Sequence, residues 1–241
     1  MVQAIPKNWK SSLLENIADR RHDGNRYITL MFSQHKVTKI FYKLFCQQTF
    51  EIPTSQRRWA VEIGYVTDEN IWNCYYQIPF RSTLNTKLQT FQYKIYLRFL
   101  YTNSLLLKCN LSETQLCSFC FETKETLSHF FFECTFVRSL WLQFAENMQS
   151  KCMIPVTISL ETCLFGTLCD NYSDILNTCF IIVRYYIYTC KLKDEKPNWK
   201  QCLYILEFYM NLDMNSLYMC TPRQADNIRK RWEYINLLFL V

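Results

Sequence analysis

One short stretch of the sequence combines the residue types that bind zinc. Its cysteines and histidine follow the spacing Cys-x2-Cys-x8-His-x4-Cys. Structural zinc is tetrahedral and takes four sulfur or nitrogen ligands, which three thiolates and one imidazole supply. The Cys-x2-Cys spacing lets one tight turn direct two sulfur atoms at the same ion. The candidate ligands, which we call the Cys3His cluster, are Cys117, Cys120, His129 and Cys134.

The alternative interpretation of this stretch is chance. The chain contains thirteen cysteines, so four unrelated residues could fall at these positions. It contains only three histidines, however, and one of them lies among the clustered cysteines. Four protein ligands leave no coordination position for water, so the pattern predicts one structural Zn²⁺ per chain and no catalytic metal.

The residues around the cluster favour the zinc interpretation. The run CSFCFETKETLSHFFFECTFVRSLW resembles the zinc-binding region at the C-terminal end of LINE-type (non-LTR) retrotransposon reverse transcriptases. The resemblance implies a zinc ion that holds neighbouring helices together and a role in binding template RNA and target DNA. The matching features are Cys117, Cys120, Glu125-Thr126, His129, the aromatic run Phe130 to Phe132, Cys134 and Trp141.

The residues needed for catalysis by such enzymes are missing from this sequence. A reverse transcriptase binds two metal ions through paired aspartates, and the chain has no Asp-Asp pair. His22 and His35 are isolated, so no endonuclease constellation of Glu, Asp and His is present either. The resemblance covers the chain from about Trp59 onward and corresponds to the part of the family that follows the catalytic core. We therefore predict no enzymatic activity and no catalytic residue.

The composition indicates an intracellular protein. Thirteen scattered cysteines are typical of a reducing compartment, either nucleus or cytoplasm. The N-terminus has no apolar run of signal-peptide length. No stretch reaches the roughly 20 apolar residues that cross a bilayer, so no membrane partner is expected. The net charge of +6 permits a polyanionic partner without requiring one.

Composition and periodicity together predict a mainly α-helical fold, with helices in a bundle-like arrangement around a small zinc knuckle. The chain has 49% hydrophobic residues and only three glycines, which favours helices over a turn-rich β-structure. The pattern divides it into a weakly patterned helical lead at 1–52, a helical region with the zinc motif at 53–150 and a helical tail at 151–241. Within these parts, a helix is predicted to stop at Pro79, and residues 151–172 are predicted to form a loop with short turns.

The spacing of the last two candidate ligands constrains the local structure. His129 and Cys134 are five residues apart, which is about 140° around an α-helix. They cannot both bind one ion from a single regular helix. We therefore expect the backbone to break between them, so that zinc fixes the angle between two helices.

A long helix ahead of the cluster is predicted to carry a basic stripe. From Leu84 to Leu106 apolar residues recur at spacings of three and four, and no Asp or Glu occurs between Arg81 and Lys108. Cations and an aromatic side chain suit a phosphate backbone and its bases, although an exposed helix face without acids is the alternative. The predicted nucleic-acid contacts are Lys87, Lys94, Arg98, Tyr101 and Lys108 in the stripe and, more weakly, Arg229, Lys230 and Arg231 near the C-terminus.

The sequence therefore favours a zinc-stabilised nucleic-acid-binding module, with RNA or an RNA–DNA junction preferred over duplex DNA. Two other interpretations stay open. The zinc-clamped helices could bind a protein partner through exposed aromatic residues such as Tyr75 and Tyr76. Alternatively, the chain is a degenerate retroelement fragment without a selected function.

Overall fold

The computed structural model describes residues 52–63, 68–168 and 172–239. This part of the chain contains nine α-helices and no β-strand, which confirms the predicted helical fold. The helical lead predicted at 1–52 lies almost wholly outside it. None of these helices combines the length and the apolar character needed to cross a bilayer. In chain order the helices are α1 (Thr54–Ile63), α2 (Glu69–Ser82), α3 (Thr86–Tyr96), α4 (Asn103–Lys108), α5 (Thr135–Cys152), α6 (Leu160–Phe165), α7 (Ser173–Leu192), α8 (Trp199–Asn215) and α9 (Pro222–Ile235).

Helix α7 lies at the centre of the packing. Its sequence is apolar on nearly all sides, and most of its residues are buried, from Ile175 to Cys190. It packs against α2, α3, α6, α8 and α9. The helices on either side of residue 150 therefore share one hydrophobic core. The candidate ligand segment lies between α4 and α5, which α7 contacts through Lys191 against Asn103 and through Phe180 against Trp141.

Pro79 lies inside α2, so the prediction that the helix stops there is wrong. A proline cannot donate to the carbonyl four residues earlier, which here belongs to Tyr75. The hydroxyl of Tyr96 donates to that carbonyl instead, over 3.0 Å. The hydroxyl of Tyr93 donates to the neighbouring carbonyl of Tyr76, over 2.5 Å. Two tyrosines of α3 thus satisfy carbonyls near the proline and allow α2 to continue.

Replacing Tyr96 by Phe should lower the free energy of unfolding by about 1 to 2 kcal/mol, because the carbonyl of Tyr75 loses its donor inside the core. Urea denaturation measures this change. In a Pro79→Ala background the backbone regains an N–H at that position, so the same replacement should cost clearly less. An equal loss of stability in the two backgrounds would contradict the idea that the Tyr96 hydroxyl replaces the backbone N–H that Pro79 lacks.

The single helix predicted between Leu84 and Lys108 is also wrong, because the structure divides it into α3 and α4. Arg98 has a left-handed backbone, with φ of 60°. Its N–H donates to the carbonyl of Ile95 over 2.9 Å, and the next N–H, of Phe99, donates to the carbonyl of Lys94 over 2.8 Å. These two bonds form a Schellman motif, which ends a helix.

Long-range contacts explain why an arginine occupies this left-handed position. The guanidinium of Arg98 lies 3.9 Å from the ring centroid of Trp59 and pairs with Glu62 over 2.5 Å. Both partners belong to α1. The side chain therefore gains a stacking contact and an ion pair that offset the backbone conformation usually left to glycine.

The stretch 151–172, predicted as a loop with short turns, contains helix α6. Ser159 starts it with a capping box: its hydroxyl accepts the N–H of Thr162, and the Thr162 side chain accepts the N–H of Ser159. Gly166 follows the last turn with φ of 97°. A Cβ atom there would lie 2.1 Å from Oδ1 of Asn177, so both the backbone and the space require glycine.

Candidate metal centre

Two of the predicted ligands lie on one tight turn. The thiol sulfur of Cys117 accepts the backbone N–H of Phe119 over 3.4 Å. The carbonyl of Cys117 accepts the N–H of Phe121 over 3.0 Å, and Phe121 has a left-handed φ of 58°. The turn brings Cys117 and Cys120 into one group with the other two members of the Cys3His cluster.

A single π-helical turn, His129–Glu133, carries the third ligand. The hydroxyl of Thr126 accepts the N–H of His129 over 3.0 Å at the start of this turn, and the carbonyl of His129 accepts the N–H of Cys134 over 2.9 Å. Cys134 then leaves the helical conformation, with ψ of 129°, and α5 begins at the next residue. The expected break thus falls at Cys134, and the π turn brings two residues five apart into one cluster.

The four donor atoms of the Cys3His cluster all lie within 4.8 Å of one another. The sulfur atoms of Cys117 and Cys134 are 3.8 Å apart, and Cys120 Sγ is 3.4 Å from His129 Nε2. Tetrahedral zinc, with bonds of about 2.3 Å to sulfur and 2.0 Å to nitrogen, separates two sulfurs by about 3.8 Å and sulfur from nitrogen by about 3.5 Å. Donor types and spacings therefore fit zinc, and no other group of His, Cys, Asp and Glu in the described ranges is arranged for a metal.

Hydrogen bonds favour the thiolate form that binds zinc at two of the three cysteines, Cys120 and Cys134. The thiol of Cys117 donates to Cys134, and the N–H groups of Phe136 and Val137 at the start of α5 add to this, so the pKa of Cys134 is lowered despite burial. The same hydrogen bond, together with burial, raises the pKa of Cys117. Burial alone would raise the pKa of Cys120, but N–H groups of the following turn outweigh it and lower the pKa.

The segment that holds the Cys3His cluster is similar to a known protein family. Residues 65–141 match the family model described as zinc-binding in reverse transcriptase. The matched segment is similar to the zinc-binding region of reverse transcriptases. It contains the whole Cys3His cluster and Trp141, so the resemblance expected from the motif is confirmed over about a third of the chain. A comparison with curated proteins found no match.

A buried carboxylate supports the matched segment from within, and sequence reasoning missed this role. Glu125 is fully buried and accepts the N–H groups of Asn103 and Ser118, each over 2.7 Å. It also forms an ion pair with Lys191 of α7, whose ammonium donates to Oδ1 of Asn103 over 2.7 Å. Glu125 therefore joins the cysteine turn to α4 and α7. The motif marks Glu125, but its partner lies 66 residues away, where no local pattern reveals it.

The aromatic residues of the matched segment anchor the π turn. The indole N–H of Trp141 donates to the carbonyl of Phe131 over 2.8 Å. Phe130 stacks on Phe119 of the cysteine turn, with ring centroids 5.3 Å apart. Phe131 contacts Phe91 of α3 edge to face, with centroids 6.3 Å apart. The π turn that carries His129 is thus packed against both the turn that carries Cys117 and Cys120 and helix α3.

The predicted basic stripe is exposed at four of its five positions. Lys94, Tyr101 and Lys108 are exposed, and Lys87 is exposed with its ammonium 5.4 Å from the ring centroid of Tyr185. Arg98 is half-buried against α1, in the contacts described above. We call the four exposed residues the basic face: Lys87, Lys94, Tyr101 and Lys108.

The predicted C-terminal group is divided by the structure. Arg229 and Lys230 are exposed on α9, and Lys230 pairs with Asp226 over 2.9 Å. Arg231 is buried, and its guanidinium donates to the carbonyls of Ser82 and Arg81 over 2.5 and 2.8 Å. The guanidinium of Arg231 therefore lies inside the fold, and its hydrogen bonds join α9 to the end of α2.

The aromatic pair expected on the surface is not there. Tyr75 is only 2% exposed, and its hydroxyl donates to Glu161. Tyr76 is half-buried and stacks on Tyr93, with ring centroids 6.1 Å apart. The expectation that these two tyrosines form an exposed protein contact is therefore wrong, because both pack between α2 and its neighbours.

Proposed function

We propose that this chain is a zinc-stabilised nucleic-acid-binding module in which the Cys3His cluster holds one structural Zn²⁺. The observation that carries the proposal is the convergence of four donor atoms within 4.8 Å inside a segment similar to the reverse transcriptase zinc-binding region. Four protein ligands complete the tetrahedron and leave no position for a reacting water. We assign no catalytic residue and no polymerase activity to the chain.

Packing links the zinc site to the basic face. The inner side of α3 contacts the π turn through Phe91 and Phe131. A neighbouring face of α3 carries Lys87 and Lys94, which are exposed. Zinc that fixes the π turn would thereby fix the position of α3 and of its two lysines. The metal acts in this proposal as a positioning element for the phosphate contacts, without touching the nucleic acid.

The chemistry of the basic face favours RNA or an RNA–DNA junction as the partner. No acidic residue interrupts the sequence between Arg81 and Lys108, so no carboxylate of α3 or α4 repels a phosphate. Tyr101 is 60% exposed and can stack on a base. Stacking requires an unpaired base, which loops, ends and junctions offer and an intact duplex does not. The resemblance to LINE-type elements points to the same class of ligand.

The unpaired cysteines support a reducing, intracellular location. All eleven cysteines that the structure describes are free thiols. Several, including Cys163, Cys179 and Cys202, are buried and pack as small apolar side chains. Such thiols persist in the nucleus or cytoplasm, where retroelement RNA would also be met.

Reversing two charges of the basic face tests the proposal. The double variant Lys87→Glu/Lys94→Glu should bind a single-stranded RNA at least about tenfold more weakly near 0.1 M salt, because two phosphate contacts become repulsive. The slope of log K against log salt should fall by about 1.5. Fluorescence anisotropy across a potassium chloride series measures both quantities.

Two exposed lysines outside the basic face provide the control. Lys193→Glu/Lys200→Glu makes the same change in net charge, and both residues are exposed. This control should weaken binding much less than the change on α3. A folded, zinc-loaded chain that binds no RNA, or equal losses in the two double variants, would contradict the proposed function.

A further inference from the structure

A cavity of about 610 Å³, lined by none of the Cys3His residues, lies where the end of α2 and the start of α7 meet one face of α9. Its volume falls in the range of small-ligand sites, roughly 300 to 1,000 Å³. One carboxylate, Asp174, lines it. Four cationic side chains also line it, so that its formal charge is positive: Arg81, Arg223, Lys230 and Arg231.

The cations of this cavity are weakly neutralised. Among the residues that the structure describes, Lys230 is paired with Asp226, whereas no ion pair is formed by Arg81, Arg223 or Arg231. Arg231 is buried, donates to backbone carbonyls at the end of α2 and lies near the carboxylates of Asp213 and Asp174, so Arg81 and Arg223 are the cations left for a ligand. The contact of Arg231 with α2 spans about 150 residues of sequence and holds α9 against α2, so the cavity is a product of the tertiary fold.

Aromatic side chains complete the walls. Phe80 is 60% exposed and Tyr234 is 58% exposed, and both line the cavity. Tyr172 contacts Tyr234 edge to face, with ring centroids 6.4 Å apart. Exposed aromatic rings beside unneutralised arginines match the two parts of a nucleotide, since a base stacks on a ring and a phosphate binds guanidinium groups.

We infer that this cavity binds a nucleotide of single-stranded RNA, with the phosphate held by Arg81 and Arg223 and the base against Phe80 or Tyr234. The inference rests on the proposed function and adds to it a second contact, on the side of the fold formed by α9. A base in a duplex is stacked and paired and cannot enter a cavity, so the site selects unpaired nucleotides. The cavity and the basic face would then bind separate parts of one strand.

Two substitutions test the cavity, each with a matched control. Arg223→Glu should weaken binding of a twelve-nucleotide oligouridine, whereas Lys200→Glu makes the same change in net charge on an exposed residue of α8 outside the cavity. Tyr234→Ala should weaken binding at least about fivefold, the loss of one stacked base. Tyr218→Ala removes a tyrosine that is 85% exposed and lies outside the cavity, and should leave binding unchanged.

The measurement is fluorescence anisotropy with zinc-loaded protein whose thermal unfolding midpoint matches the wild type. A duplex of the same length should be insensitive to Tyr234→Ala. Uridine monophosphate, used as competitor, distinguishes a free nucleotide from one in a strand. If it binds as tightly as the oligonucleotide and depends equally on Arg223, the cavity takes free nucleotides and the assignment to a strand is overturned.

The outcomes separate this inference from the proposed function. If Lys87→Glu/Lys94→Glu weakens RNA binding but Arg223→Glu does no more than Lys200→Glu, the cavity inference is overturned and the proposed function stands. If the wild-type chain binds no RNA at all, both are overturned. Losses confined to Arg223→Glu and Tyr234→Ala, with both controls unchanged, support the cavity.

Discussion

Replacing Cys134 by Ser is expected to release the bound zinc and to lower the free energy of unfolding by more than about 4 kcal/mol. For a domain of this size that corresponds to a fall of roughly 10 °C in Tm. The sulfur of Cys134 is fully buried, lies 3.8 Å from that of Cys117 and sits at the junction between the π turn and α5. Without the metal, the three remaining ligands lie close together with no ion to bind them, and two of them, Cys117 and His129, are buried.

Metal content, determined by mass spectrometry of bound metals, and urea denaturation test this expectation together. Wild-type protein treated with a chelator should show the same reduced stability as Cys134→Ser, because both lack the same ion. Cys163→Ser is the control for placing a hydroxyl where a buried thiol was, since Cys163 is fully buried outside the cluster. It should keep one zinc per chain. One zinc retained in Cys134→Ser would contradict the assignment of the fourth ligand.

The second large effect concerns the buried ion pair behind the cysteine turn. Glu125→Gln should lower the free energy of unfolding by about 3 to 5 kcal/mol, because it leaves the ammonium of Lys191 buried without an anion. The side chain of Lys191 is only 9% exposed and that of Glu125 is fully buried. The new amide also turns a donor toward Ser118, whose N–H and hydroxyl both donate to the native carboxylate.

A double-mutant cycle with Lys191→Met isolates the pair. The double variant should be more stable than Glu125→Gln alone, because the uncompensated charge is then gone. The exposed pair between Lys230 and Asp226 offers a contrast, and Asp226→Asn should cost less than about 1 kcal/mol. Additive losses at Glu125 and Lys191, or a loss at Glu125 as small as that at Asp226, would contradict the role given to this pair.

The parts of the site that could be predicted from sequence are those that local spacing determines. The cluster is compact in sequence, and its spacing alone places two sulfurs on a turn and forces a break before Cys134. Asn198 and Thr221 begin α8 and α9, and both side chains accept backbone N–H groups, which is the local role that capping residues have. The sequence of α7 is apolar on nearly all sides, which agrees with its central position.

The features that sequence reasoning missed depend on partners distant in the chain. Pro79 stays in a helix because hydroxyls of α3 reach its neighbours' carbonyls, and Arg98 ends a helix because α1 offers it Trp59 and Glu62. Arg231 looked like part of an exposed basic group, yet its acceptors are carbonyls 149 and 150 residues earlier. Periodicity describes one helix at a time and carries no information about such contacts.

The position of α7 has a practical consequence for dividing the chain. The segment recognised by its family signature ends at Trp141, seven residues into α5, and excludes Trp59, Lys191 and all of α7. A recombinant fragment cut at those limits would expose Phe91, which loses its ring contacts with α7, and would leave the carboxylate of Glu125 without its cation. The segment that matches the family is therefore shorter than the part of the chain that packs around α7. A soluble fragment should run at least from residue 53 to residue 239.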